Sequence, residues 1–398
     1  MKNIKTLLVA GCVASLLGCG GGGGGSSSPV YPPPKVVEAT SYSNKNNIVM
    51  DNTQVTALSG SDGHTVAFGD FFQEGEYSAF VAVSAGGSNE ARFLKKSGST
   101  WIDHTTSLQS GGAAISVCSN IAQAITADFN GDGKPDVFLA CGMSSASEQH
   151  IVMSQSGSTT YARQIIKNIL GQAIQLQGWG AAAADVDGDG DIDIVMAQGT
   201  EVVALENKNT YWVLHNAANS NAWMALPSAL NFPTVPRKVF LIPGAGARPD
   251  LVVGGDGTMG NITLAWMPNL NTNVAPFYRF NSNSSESSYA NAYLMPNNYS
   301  ASIYDVVKKG ANLLVLAKDK NVADESTAGV MKILSYAMPS SYGGGYSVFP
   351  TPTEVNYNGS NTAPSFIFQF KLDSLGHLVA YDGACVSTQT RCAFIATP

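Results

Sequence analysis

The sequence predicts an all-β fold assembled from one repeated unit, and three observations carry that prediction. Two nearly identical acidic loops each run into an apolar stretch of strand length: Ala127-DFNGDGKPDVFLACG and Ala184-DVDGDGDIDIVMAQG. Worn copies of the same pattern recur along the chain, and their marker positions Gly75, Gly133, Gly190, Ala247, Gly310 and Gly376 lie 58, 57, 57, 63 and 66 residues apart. Only 13% of the 398 residues are charged, with 41 glycines and abundant Ser, Asn, Thr and Tyr, a balance common in exported all-β proteins.

Residues 1–18 carry two lysines, an apolar run from Leu7 to Leu17, and then a small residue, the order of a secretory signal. That run is too short to span a bilayer. The site Leu16-Leu17-Gly18-Cys19 resembles the lipobox of bacterial lipoproteins. The resemblance implies cleavage before Cys19, acylation of that cysteine and a place in the cell envelope. Gly20, where an Asp would favour inner-membrane retention, points to the outer membrane. Residues 19–40 hold a glycine run, three serines and a Pro-rich patch; they bury no apolar area and read as a tether. Residues 41–398 contain no second low-complexity stretch and read as one repeat domain.

Loss of Lys2 and Lys5 with the signal leaves 20 basic against 29 acidic side chains. A nucleic-acid partner is therefore not expected, since no basic patch is present to displace phosphate counterions. Four cysteines remain, Cys118, Cys141, Cys385 and Cys392, an even number in an exported chain. Cys118 precedes and Cys141 ends the hairpin around the first acidic loop, while Cys385 and Cys392 flank the polar turn VSTQTR. The expected disulfides are Cys118–Cys141 and Cys385–Cys392.

The acidic loops set oxygen-bearing side chains at positions 1, 3, 5 and 9: Asp128, Asn130, Asp132 and Asp136, then Asp185, Asp187, Asp189 and Asp193. Alternate residues of a tight loop can point inward while a glycine at position 6 permits the turn, and that arrangement suits a hard cation. Position 7, Lys134 or Asp191, would add a backbone carbonyl. Calcium is preferred to magnesium because the cage is mostly protein oxygen. An EF-hand would need an acidic ligand at position 12, where Leu139 and Met196 stand, and flanking helices. Strand-like runs follow instead, so each loop should join two strands. Two calcium ions are expected.

Upstream, Gly69-DFFQEGEYSAFVAVS keeps Asp70, Glu74 and Gly75; downstream, Ile242-PGAGARPDLVVGG keeps Asp250. Asp305-VVKKGANLLVLA and Lys371-LDSLGHLVAY keep the glycine and the apolar run. These residues resemble the FG-GAP/VCBS repeat family, whose best-known members form the β-propeller of integrin α-subunits with calcium in such loops. The resemblance implies a β-propeller across residues 47–398 and calcium in the two intact loops alone. Each unit has room for four antiparallel strands, which gives six blades, with seven left open. The last unit lacks an outer strand, and Ile48–Leu58 could supply it.

If the acidic loops join the first and second strands of each unit, the connections between units emerge on the opposite face. Those connections are rich in Asn, Ser and Gly beside aromatics, which suits recognition of a protein or glycan. Trp179, Trp223, Tyr289 and Tyr293 are the candidate contacts. No GxSxG elbow, phosphate loop or His pair at metal spacing occurs, so no catalytic residues are expected. The sequence thus reads as a monomeric, membrane-tethered, calcium-binding propeller used for binding or adhesion. A polysaccharide-active lyase or glycosidase, or a scaffold subunit of an envelope complex, are the alternatives.

Overall fold

Runs such as Val137-FLA and Ile194-VMA are apolar at every position rather than at alternate ones, which suits a strand covered on both faces. The computed structural model describes residues 49–51, 66–75, 78–85, 88–97, 100–198, 201–216, 236–243, 249–255, 264–267, 293–294, 301–319, 331–338, 347–348, 352–354, 367–372, 378–382 and 393–396. Among them there is no α-helix, only the short 3-10 helices Thr105–Leu108 and Ser110–Gly112. No helix among these residues is long and apolar enough to cross a membrane.

The described strands form six sheets of four or five strands and one two-stranded sheet. Sheet 1 holds Val66–Gly69, Ser78–Ala85, Ser88–Ser97 and Thr100–Asp103, with Ser116–Val117 paired to its third strand. Sheet 2 is Gln123–Ala127, Asp136–Ala140, His150–Ser154 and Tyr161–Ile165; sheet 3 is Gly178–Ala184, Asp193–Gln198, Glu201–Asn207 and Trp212–His215. Both are antiparallel meanders in chain order. Sheet 4 follows with Pro236–Ile242, Asp250–Gly255, Leu264–Met267 and Tyr293–Leu294, and accepts Ser347–Val348 in parallel. Sheet 5 comprises Ala301–Lys309, Asn312–Asp319, Met331–Ala337 and Thr353–Glu354. Sheet 6 comprises Ile367–Leu372, Leu378–Asp382 and Ala393–Ala396, and its fourth strand is Val49–Asp51 from the other end of the described chain.

The first strands of sheets 1 to 6 lie against one another in chain order, as blades of a β-propeller do. Side-chain alternation shows how the sheets stack. In sheet 2, Val137 and Leu139 join Phe80 and Phe93 of sheet 1, while Phe138 and Ala140 turn to Ile194 and Met196 of sheet 3. Sheet 3 repeats the arrangement, with Val195 and Ala197 packed against Val239, Leu251 and Val253 of sheet 4. Val252 faces the other way, with Phe240, Trp266, Val315 and Leu334 between sheets 4 and 5. A second strand therefore serves two cores, which is why its sequence shows no polar alternation.

The sheets approach closely where glycine allows it. A Cβ on Gly178 would stand 3.0 Å from the Cys141 carbonyl oxygen, to which the Gly178 amide donates. Cys141 is itself bonded to Cys118, with Cα atoms 6.0 Å apart, closing the 23-residue separation around the first acidic loop. The connections between sheets are more structured than loops of Asn, Ser and Gly suggest. Residues 105–122 carry both 3-10 helices and the strand Ser116–Val117, and within residues 167–178 the strand Gln175–Leu176 pairs with Ser147–Glu148. Cys19, Cys385, Cys392, Trp223 and Tyr289 lie outside the described residues.

Candidate metal loops

Both acidic loops join the first and second strands of their sheets, residues 128–135 in sheet 2 and 185–192 in sheet 3. Each is shaped by its own carboxylates. At position 1, Asp128 accepts the amides of Asp132 (3.1 Å) and Gly133 (2.7 Å), and Asp185 those of Gly188 (2.6 Å) and Gly190 (3.2 Å). The glycine at position 6 has φ of 82° in Gly133 and 98° in Gly190, the left-handed region where a side chain would be strained. Asp70 in sheet 1 holds Glu74 and Gly75 in the same manner, so the worn copy keeps the loop's frame.

Position 9 clips the loop to the third strand. Asp136 accepts the Phe129 amide at 2.9 Å and the Ser154 amide at 2.7 Å; Asp193 accepts those of Val186 and Asn207, both at 2.9 Å. Both carboxylates are fully buried. Burial raises the Asp136 carboxyl to about 7 and the Asp193 carboxyl to about 8, against the lowering effect of those amides. In sheet 1, Ser78 fills this position and accepts the Phe71 amide at 2.9 Å. In sheet 4, Asp250 is also fully buried and accepts from Trp266 Nε1 at 3.1 Å.

The two loops differ in what they gather. In the second, oxygens of Asp185, Asp187 and Asp193 lie within 4.8 Å of one another, and so do those of Asp187, Asp189 and Glu206. Asp187 is half-buried and raised to about 6, chiefly by burial. In the first loop no such trio of carboxylates forms among the described residues. There Asp132 accepts from Ser154 Oγ at 2.8 Å, the Asn130 amide nitrogen points to Ser154, and Lys134 Nζ reaches the Ser158 carbonyl.

Several contributors come from outside the motif. Lys208, on the turn after the third strand of sheet 3, sets its ammonium 3.0 Å from Asp189 Oδ2 and 3.5 Å from Asp187 Oδ2, and pairs with Glu206. Partial burial works against that charge, but hydrogen bonds to Glu206 and Asp189 outweigh it and hold the ammonium above the usual lysine range. Asn209 donates to Asp191 at 2.7 Å. Asn207 donates to the Ile192 carbonyl of its own sheet and, at 2.9 Å, to the Phe129 carbonyl of the first loop, so one buried amide ties the two loops together. Glu206 to Asn209 show no periodic pattern in sequence; their place at a strand end is the only signal they leave there.

The two copies sit 57 residues apart in matching places of adjacent sheets, and residues 128–196, from position 1 of the first loop into the second strand of sheet 3, match one protein family. The family is the FG-GAP-like repeat, to which residues 128–196 are similar. The FG-GAP match thus runs through both acidic loops. A search of curated proteins returns no match. Matches among solved structures are at low identity. A putative oxidoreductase (glucose dehydrogenase) from Thermus thermophilus is 11% identical over 87% of this chain and 98% of its own, with a TM-score of 0.45. A protein from Lactobacillus plantarum is 10% identical over 82% and 79%, at 0.47. The Dos1 propeller is 8% identical over 84% and 67%, at 0.36. None of these carries an activity or a ligand to this chain.

Of the recognition residues expected from sequence, Trp179 belongs to the scaffold rather than to a loop. It lies in the first strand of sheet 3 and packs, half-buried, against the cluster between sheets 3 and 4. Tyr293 begins the fourth strand of sheet 4. An open cleft of about 510 Å³ runs between sheets 2 and 3, lined by Asn130, Arg163, Gln164, Lys167, Asn209 and Thr210 over a floor that includes Phe129 and Trp212. It adjoins the acidic loops, through Asn130 and Asn209, and its lining contains no carboxylate.

Proposed function

We propose that this chain is a calcium-stabilised β-propeller, tethered to the cell envelope through Cys19, that serves as a binding module for a protein or glycan. The observation that carries the calcium reading is the convergence of Asp185, Asp187 and Asp193, whose oxygens lie within 4.8 Å of one another at a hairpin turn already held by amide bonds. Carboxylates gathered this closely repel one another, and a divalent cation bridging them removes that cost. Donors that are all oxygen suit calcium. Asp128, Asn130, Asp132, the Lys134 carbonyl and Asp136 would hold a second ion in the first loop. The Asp191 carbonyl would complete the set in the second.

The binding role rests on the cleft beside these loops, whose amides and cations can hydrogen-bond a polar ligand. The tether rests on the Leu-Leu-Gly-Cys site, and the outer membrane on Gly20 after it. Calorimetric titration of chelator-treated protein tests the calcium reading. Two equivalents are expected at ~10⁻⁴–10⁻³ M, one lost in Asp189→Ala and the other in Asp132→Ala. No uptake of heat or metal by the wild type would defeat it.

A further inference from the structure

Residues 166–174 form a small hydrogen-bonded ribbon at the edge of the cleft between sheets 2 and 3. Ile166 and Ile174 are buried and bond to each other, Lys167 bridges to Ala173, and the Lys167 carbonyl accepts the Trp212 amide of sheet 3 at 2.9 Å. At the turn, the Asn168 side chain accepts the amides of Leu170 and Gln172, both at 3.0 Å, and donates to Gln172. Gly171 closes the turn at φ of 75°. This scaffold holds out two large aliphatic side chains, Ile169 at 70% and Leu170 at 76% exposure, while the next most exposed large apolar residue described reaches 43%. The turn is held by the Asn168 side chain and the backbone bonds beneath it, not by burial of those two side chains.

Two cations line the cleft that the ribbon borders. Arg163 and Lys167 are exposed, take part in no ion pair among the described residues, and share a lining with no carboxylate in a chain whose net charge is −7. Adjacent exposed aliphatics beside a cleft with unpaired cations suit a bilayer interface, apolar below and anionic above. A folded protein partner fits less well. Two convex side chains fall far short of the roughly 800 Å² per partner of a stable protein interface, whereas a fluid bilayer needs no complementary surface. We infer that the Ile169–Leu170 tip inserts into an anionic phospholipid surface and fixes how the propeller sits on the membrane. The inference rests on the tethered reading above only for the nearness of a bilayer.

The test uses the full chain bound to vesicles of phosphatidylglycerol and phosphatidylethanolamine with brominated acyl chains. Leu170→Trp should be quenched by bromine beyond the wild-type background, while Ser156→Trp, on an exposed hairpin turn, should not. Arg163→Gln and Lys167→Gln should each weaken insertion by about fivefold, and phosphatidylcholine vesicles should weaken it as well. Equal quenching at positions 170 and 156, or no vesicle association at millimolar lipid, would overturn the inference. So would protection of Leu170→Trp from acrylamide by a soluble acidic polypeptide but not by vesicles, because the tip would then serve a protein. Fatty-acid labelling of Cys19, read separately, reports on the anchor whatever the tip does.

Discussion

The ammonium of Lys208 stands 3.0 Å from Asp189 Oδ2, so the loop richest in carboxylates already carries a cation of its own. A calcium ion entering through Asp187 and Asp189 must compete with it. Lys208→Gln should therefore tighten calcium binding at the second loop on the order of fivefold while lowering the stability of the chelated protein by about 1 kcal/mol. Titration calorimetry and melting of the same preparations measure both. Unchanged calcium affinity would show that the lysine lies off the ion's path.

Acid should affect the chelated and calcium-loaded forms in opposite directions. Burial holds the folded carboxyls of Asp136 and Asp193 at about 7 and about 8, above the ordinary 3.8, so without metal the folded state binds these protons more tightly than the unfolded chain. Their contribution is complete below about pH 4 and is lost as pH rises through 7 to 8. Chelated protein should thus melt lower at about pH 8.5 than at about pH 5.5. With millimolar calcium, proton competition should make the acid condition the less stable one, and a pair of melting series would show the crossing.

Asn207→Ala should cost more than a surface change, about 2 kcal/mol. It removes the donor to two carbonyls, Phe129 and Ile192, that belong to different loops. Because the two loops share this residue, the variant should also shift calcium binding at both. A shift at one loop alone would show that the tie is not transmitted.

Reduction of Cys118–Cys141 should destabilise by about 3 kcal/mol in the chain-entropy picture, from its separation of 23 residues. Melting curves with and without a reductant that reaches buried sulfur measure it, and peptide mapping without reduction should recover this pair linked.

The acidic loops and the order of the sheets are legible in the sequence because each leaves a local signature: alternating carboxylates around Gly133 and Gly190, then an unbroken apolar run. What surrounds the loops is not legible there. Lys208, Glu206, Asn207 and Ser154 reach the loops from strand ends 14 to 24 residues away, across a hairpin that carries no motif. Trp179 reads as a rim aromatic because it follows a polar connection, yet the strand that begins at Gly178 turns it onto the sheet 4 cluster. The Ile169–Leu170 tip is hidden for the opposite reason, since two aliphatics in sequence read as core until their exposure is known.

Val49 pairs with Ile395, Met50 with Phe394 and Asp51 with Ala393. The strand Val49–Asp51 thus waits for a partner almost 350 residues later, the largest loop closure in the described fold. A chain that folds in the order of its sequence would complete sheets 1 to 5 one on another while the edge of Val49–Asp51 stays open. Assembly should therefore end slowly, with one late step in which the first and last described strands meet. Any delay in the arrival of Ala393–Ala396 would leave that unpaired edge as the place where two copies could exchange strands.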